Sequence, residues 1–240
     1  MYSKPIFFMK NYSSNLFQTL LACAILFSGL FAAEGHAQTP EERPDYGSYY
    51  YQRKTLFEQL PNAKDEIILL GDSITDGNEW AELFGNDRLK NRGISGDKTD
   101  GVLYRLDEVT ESHPDKVFIM IGVNDLARDH SPDYVLSNYE KIVDRIKKDS
   151  PDTEVYIQSL LPVNDDFSRF TSHYDKTPEI KTVNKGLKRL ADEQEATYID
   201  LFDDMTIAGD KLNPEYTEDG LHLNGSGYLV WKSEIEKYMD

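Results

Sequence analysis

The order of apolar and polar segments predicts an α/β fold, a central parallel sheet with helices on both faces. Three observations carry that prediction. Short apolar runs without alternation recur at 67–70, 117–121 and 155–161, the pattern of strands buried on both sides. Amphipathic stretches follow the second and third of them, opened by Ser131-Pro132-Asp133 and Thr177-Pro178-Glu179, where a capping residue and an early proline mark helix starts. Strand and helix patterns alternate along the chain, with no internal repeat or low-complexity segment.

Residues 1–37 stand apart from that pattern. Lys4 and Lys10 precede an apolar stretch from Leu16 to Ala33, which gives way to Gly35-His36-Ala37. Basic, apolar and small residues in that order predict a signal peptide cleaved after Ala37, and hence a periplasmic or secreted protein. Two rivals stay open: an uncleaved membrane anchor, and a lipoprotein signal at Leu20-Leu21-Ala22-Cys23. The 240 residues include 43 acidic and 26 basic side chains, a formal net charge of −17. Such a field repels nucleic acid and anionic membrane surfaces, so neither is an expected partner, and no stable membrane insertion is expected after cleavage. Cleavage also removes Cys23, the single cysteine, and with it disulfide, thiolate-metal and cysteine-nucleophile chemistry. Serine or carboxylate chemistry remains.

Residues 38–240 then form one domain, a leading segment 38–63 followed by a core 64–240. In the leading segment Tyr49, Tyr50, Tyr51, Leu56, Phe57 and Leu60 fall at partly helical spacing, which predicts a helix packed on the domain. A tyrosine-lined sugar surface is the alternative. The first strand, Ile67–Leu70, runs into Gly71-Asp72-Ser73-Ile74-Thr75, so Ser73 sits just past its carboxyl end, where open α/β sheets hold their ligands. A short helix is expected at 80–84 and a glycine-punctuated loop at 89–97. A helix follows over 99–109 with Val102, Leu103 and Leu106 inward. After the 117–121 strand and Gly122-Val123-Asn124-Asp125, a helix buries Val135, Tyr139, Ile142, Val143 and Ile146. After the 155–161 strand comes a long polar loop, Asn164 to Thr177, expected to overhang the face that carries Ser73. The next helix buries Ile180, Val183, Leu187, Leu190 and Ala191. A short strand at 198–201, a polar loop at 217–227 and a closing helix at 228–239 complete the chain.

Four islands fall at strand ends or in one loop: Ser73, Gly96, Asn124, and Asp219-Gly220-Leu221-His222. Ester hydrolysis through a serine needs a nucleophile, a base beside it, an orienting carboxylate and donors for the oxyanion. Asp219 and His222, three apart in one loop, can supply orienter and base. The backbone N–H groups of Ser73 and Gly96 with the Asn124 amide can supply the donors. Each residue alone has a plainer reading: a helix cap for Ser73, a turn for Gly96, a loop cap for Asn124, a surface histidine for His222.

Together, GDSIT, NRGISGDKT, GVND and DGLH resemble the four sequence blocks of the SGNH hydrolases, the GDSL esterases and lipases. The blocks occur in order over residues 67–222. The resemblance implies Ser73 as nucleophile, Asp219 and His222 as the rest of the triad, and Ser73, Gly96 and Asn124 as the oxyanion hole. It also implies a flavodoxin-like three-layer α/β/α sandwich. Trp80-x-x-x-Phe84 and the spacing from Gly93 through Gly96, Asp97, Thr99, Arg105 and Leu106 look like the branch of platelet-activating-factor acetylhydrolase catalytic subunits and bacterial acetylesterases. Ile74 and Thr75 depart from literal GDSL, and Thr75 excludes the G-x-S-x-G elbow of α/β-hydrolases. Asp72 and Asp97 are expected to hold loops rather than react. The expected activity is a serine esterase acting on small acyl esters, foremost acetyl esters of a carbohydrate such as sialic acid or a polysaccharide. A lysophospholipase or thioesterase with the same triad is the alternative, and a non-catalytic glycan-binding protein a more distant one. No metal or organic cofactor is implied, for neither HExxH nor a paired-histidine site occurs.

Overall fold

Five strands run parallel in one sheet: β1 (Ile67–Gly71), β2 (Leu89–Gly93), β3 (Lys116–Met120), β4 (Glu154–Gln158) and β5 (Thr197–Ile199). The computed structural model describes residues 43–240. The expected signal peptide, 1–37, lies outside the described residues. Strand order is β2-β1-β3-β4-β5, with Ile67 paired to both Leu89 and Lys116. This is the doubly wound order, and its switch point falls between β1 and β3, whose connections leave in opposite directions.

The strands form where they do because both faces are covered. Ile67 to Leu70 and Val117 to Ile119 are wholly inaccessible to solvent, and burying each such side chain is worth about 1.5–3 kcal/mol. The helix Pro132–Asp149 starts at Ser131, whose side-chain oxygen accepts from Tyr134 N–H, and it buries the five apolar residues its spacing predicts. Tyr139 of that helix also accepts a hydrogen bond from Ile121 N–H at 2.9 Å, fixing it to the end of β3. The helix Thr177–Glu193 buries Ile180, Val183, Leu187, Leu190 and Ala191 beside it, as expected.

Four expectations need correction. The loop expected at 89–97 begins with strand β2, which carries no apolar run because polar side chains do its work. The helix expected over 99–109 is two pieces, Thr99–Tyr104 and Asp107–Thr110. The break falls at Arg105, whose fully buried guanidinium turns into the core to donate to the carbonyls of Gly71 and Arg92. The loop 164–177 contains a short helix, Thr171–Tyr174. The closing helix begins earlier, at Gly225, because the Asn224 side chain caps it by accepting from Ser226 and Gly227 N–H. A small hairpin of β6 (Thr206–Ile207) and β7 (Lys211–Leu212) had no counterpart in the pattern.

The leading helix, Ser48–Phe57, packs on the domain as its spacing predicts. Tyr50 is buried and its hydroxyl donates to Gly101 O at 2.6 Å. Tyr49 donates to Asp76 at 2.8 Å, and Arg53 lies 3.4 Å from the same carboxylate. Tyr49 is thus held at the end of the Ser73–Asp76 turn and Tyr50 against the segment that follows β2.

Candidate active site

The turn that follows β1 is held from every side. Asp72 caps the one-turn helix Ser73–Asp76 by accepting from Ile74 N–H at 3.0 Å. Its carbonyls are gripped from outside: Trp80 Nε1 and Asn91 Nδ2 donate to Thr75 O at 2.8 and 3.0 Å, and the Tyr228 hydroxyl to Ile74 O at 2.8 Å. β2 can approach this closely because residue 93 is glycine: a Cβ there would stand 2.2 Å from Asp76 N. The result is a rigid turn that projects Ser73 from the carboxyl end of the central strand.

The loop carrying the base arrives from 149 residues away. His222 Nε2 lies 2.9 Å from Ser73 Oγ, and His222 Nδ1 lies 2.9 Å from Asp219 Oδ2. The other carboxylate oxygen of Asp219 accepts from His222 and Leu221 N–H at 2.8 and 3.1 Å. Partial burial alone would raise the Asp219 pKa, but those N–H donors and the imidazole outweigh it and hold the carboxyl below its ordinary range. The group beside the imidazole therefore stays an anion. The loop is closed by Thr217, whose hydroxyl accepts from Asp219 and Gly220 N–H.

Two more of the sequence candidates converge on the same place. Gly96 adopts φ +80°, a conformation that costs glycine nothing and other residues much. Among the described residues neither Ser73 N–H nor Gly96 N–H is taken up in a hydrogen bond. Asn124 donates one amide hydrogen to Asp97 O at 3.0 Å. Ser73, Gly96, Asn124, Asp219 and His222 are thereby assembled at one end of the sheet. Asp72 and Asp97 do hold loops. Asp97 accepts from Lys98 N–H at 2.8 Å and from Arg105 at 2.9 Å. Burial outweighs Arg105 and raises its pKa to about 6.

Side chains without a sequence signal complete the site, and most come from the overhanging loop. Phe170 sets its ring edge-on to His222, 4.9 Å between centroids. Tyr174 donates its hydroxyl to Asp219 O at 2.7 Å and accepts from Phe170 N–H. His173 Nε2 reaches Asn124 Oδ1 at 3.2 Å. Nothing in the polar sequence of the 164–177 loop singled these side chains out. Beside Gly96 a small polar cavity of about 110 Å3 is lined by Asp45, Tyr46, Ser95, Lys98 and Arg128. Among the described residues no group of three or more His, Cys, Asp or Glu side chains is arranged to hold a metal ion.

A serine held against an imidazole can pass its proton to that ring, which the carboxylate orients, and two backbone N–H groups with no partner among the described residues can meet a developing oxyanion. Comparison with known proteins agrees with this chemistry. The GDSL-like lipase/acylhydrolase family matches residues 69–230, which contain all five residues. An arylesterase from Vibrio mimicus is 30% identical over 176 residues, 67% of this chain and 80% of that protein. The platelet-activating factor acetylhydrolase IB subunit alpha2 of Rattus norvegicus is 26% identical over 203 residues, 82% of this chain and 85% of that protein. A solved structure from Streptococcus pneumonia, described as a platelet activating factor, superposes with a TM-score of 0.73 at 30% identity, covering 80% of this chain and 93% of that one. The chain belongs to the GDSL-like lipase/acylhydrolase family and is a carboxylic ester hydrolase.

Proposed function

We propose that Ser73 is the nucleophile of an exported acetylesterase whose substrate is an O-acetylated carbohydrate, such as a sialic acid or a polysaccharide. The observation that carries the catalytic part is the unbroken relay from Ser73 through His222 to Asp219, 2.9 Å at each step. His222 takes the Ser73 proton as Oγ bonds to the ester carbonyl carbon. The carbonyl oxygen becomes an anion facing Ser73 N–H, Gly96 N–H and the Asn124 amide. The ester C–O bond then breaks, His222 gives its proton to the leaving alcohol, and water repeats the sequence to release acetate and free Ser73. Asp219 stays ionised throughout and keeps the imidazole in the tautomer that accepts from serine.

Two features support a small acyl group. The Phe170 ring stands edge-on to His222, 4.9 Å between centroids, and the loop 164–177 that carries it is polar. A relative named as an acetylhydrolase points the same way. The polar loop 164–177 and the sequence of residues 1–37 support an exported enzyme with a hydrophilic substrate.

The test is a series of 4-nitrophenyl esters followed by a panel of O-acetylated sialic acids, xylans and pectins. Acetate should exceed octanoate in kcat/KM, since each methylene that fits an apolar pocket is worth roughly 1–3 kcal/mol. A rate that climbs with chain length would point to a lipase with the same relay. A fluorophosphonate should label Ser73, and Ser73→Ala should abolish both labelling and turnover. Labelling at Ser95 or Ser226 would overturn the mechanism.

A further inference from the structure

We infer that His173 is a positioning residue for the oxyanion site: it holds the Asn124 side-chain oxygen, so that the second amide hydrogen stays aimed at the reacting carbonyl. The inference rests on the Ser73 mechanism above and adds a residue that acts through Asn124.

The hydrogen bonds of the Asn124 amide fix which end is which. Its nitrogen lies 3.0 Å from the carbonyl oxygen of Asp97, an atom that can only accept, so that end must be Nδ2. The opposite end is therefore Oδ1, 3.2 Å from His173 Nε2. Oδ1 can only accept as well, so His173 carries its proton on Nε2. Nδ1 is then the acceptor, and the Ser172 hydroxyl, 3.3 Å away, donates to it. Burial pushes the His173 pKa down and favours this neutral, singly protonated ring.

Without His173 only the Asp97 carbonyl would set the orientation of the amide, whose terminal torsion is broad and nearly two-fold. Turned over, it would point oxygen rather than N–H at the developing oxyanion. With His173 in place, turning over makes two errors at once: nitrogen would face the Nε2 hydrogen, and oxygen would face Asp97 O. The imidazole thus reinforces the productive orientation that the Asp97 carbonyl favours. Its own place is secured by the rest of the short helix, since Tyr174 is bonded to Asp219 O and Phe170 lies against both histidine rings. The same segment touches the base and the oxyanion donor.

The test compares His173→Ala, His173→Gln and Asn124→Ala, alone and combined, in the full chain with 4-nitrophenyl acetate. Wild-type turnover and fluorophosphonate labelling check the hydrolase mechanism first, so its failure is distinguishable from failure of this inference. Loss of a whole oxyanion donor costs on the order of 10²–10³ in kcat. Misorientation should cost His173→Ala about 10- to 100-fold of kcat per titrated site, with KM shifted little. His173→Gln offers an amide N–H in place of the ring N–H and should recover most of the loss. In the Asn124→Ala background His173→Ala should add almost nothing, since residues acting as a unit are non-additive. A fully additive double variant would overturn the inference. So would His173→Ala with wild-type kcat per titrated site, or His173→Gln as impaired as His173→Ala while both melt like wild type.

Discussion

The nucleophilic role proposed for Ser73 rests on its surroundings, and so does the plainness of its near neighbour Ser95. Ser95 lies in the same region, but its hydroxyl donates to Asp76 at 2.7 Å and, among the described residues, bonds to no imidazole. Asn124 offers a sharper comparison. If its second amide hydrogen donates to transition-state charge, Asn124→Ala should lower kcat by about 10²–10³ with KM nearly unchanged. If it merely caps a loop, the variant should lose about 1 kcal/mol of stability with kcat per titrated site intact. Thermal melts and active-site titration on the same samples separate the two. Asp72 makes a prediction of a different kind. Full burial raises its pKa to about 7 against the opposing Ile74 N–H. The fold therefore favours the protonated form. That contribution is complete below the ordinary carboxylate range and is lost as pH rises through about 7. Asp72→Asn keeps an oxygen for Ile74 N–H and cannot ionise. Its stability relative to wild type should improve on going from about pH 4 to 7, by up to roughly 1.4 kcal/mol per unit. Denaturant midpoints that run parallel in pH would count against this.

Among the elements, β2 shows why some of the fold was not legible. An edge strand of a parallel sheet needs apolar side chains only where it is covered. In Leu89-Lys90-Asn91-Arg92-Gly93, Asn91 grips the nucleophile turn and Arg92 pairs with Glu108 at 3.0 Å. A run whose side chains serve specific contacts has no periodicity to read. The one-turn helix 171–174 and the 206–212 hairpin are too short to show a period at all. By contrast, the helices Pro132–Asp149 and Thr177–Glu193 were readable because each repeats its apolar stripe over four turns or more. The break at Arg105 follows the logic of β2, since the residue leaves the helix to join Asp97, Glu108 and two carbonyls in the core. Arg105→Met would leave two buried carboxylates short of their partner. A loss of about 3–5 kcal/mol is expected from denaturant titration. A loss under about 1 kcal/mol would show that Arg92 alone satisfies Glu108 and that Asp97 finds other donors.

At the scale of the whole molecule, topology and site are one fact. The parallel order brings the carboxyl ends of β1 and β3 side by side, so the turns holding Ser73 and Asn124 are neighbours however far apart they lie in the chain. That much was readable, because three strands announced themselves by composition and the candidate residues stood just past two of them. The approach of the 217–222 loop to Ser73 was not readable from spacing; it depends on the closing helix docking through Tyr228. The export reading rests on residues 1–37 alone. If the basic, apolar, small order is a cleaved signal, the amino terminus of the mature protein should be Gln38. Terminal sequencing that finds residues 1–37 attached would favour an anchor, and a lipid on Cys23 would favour a lipoprotein.

The closing helix has an optical consequence. The chain has two tryptophans, Trp80 and Trp231. Both are buried, their rings 4.8 Å apart at 77°. Trp80 follows the nucleophile turn and donates to it, while Trp231 rides on the closing helix that brings the base loop home. All indole emission therefore comes from one junction, where the first active-site block meets the last. As that helix detaches, the emission maximum should shift to the red and the exciton coupling between the rings should vanish from near-ultraviolet dichroism. Light from this protein then measures whether Ser73 and His222 are being held together, even when no substrate is present.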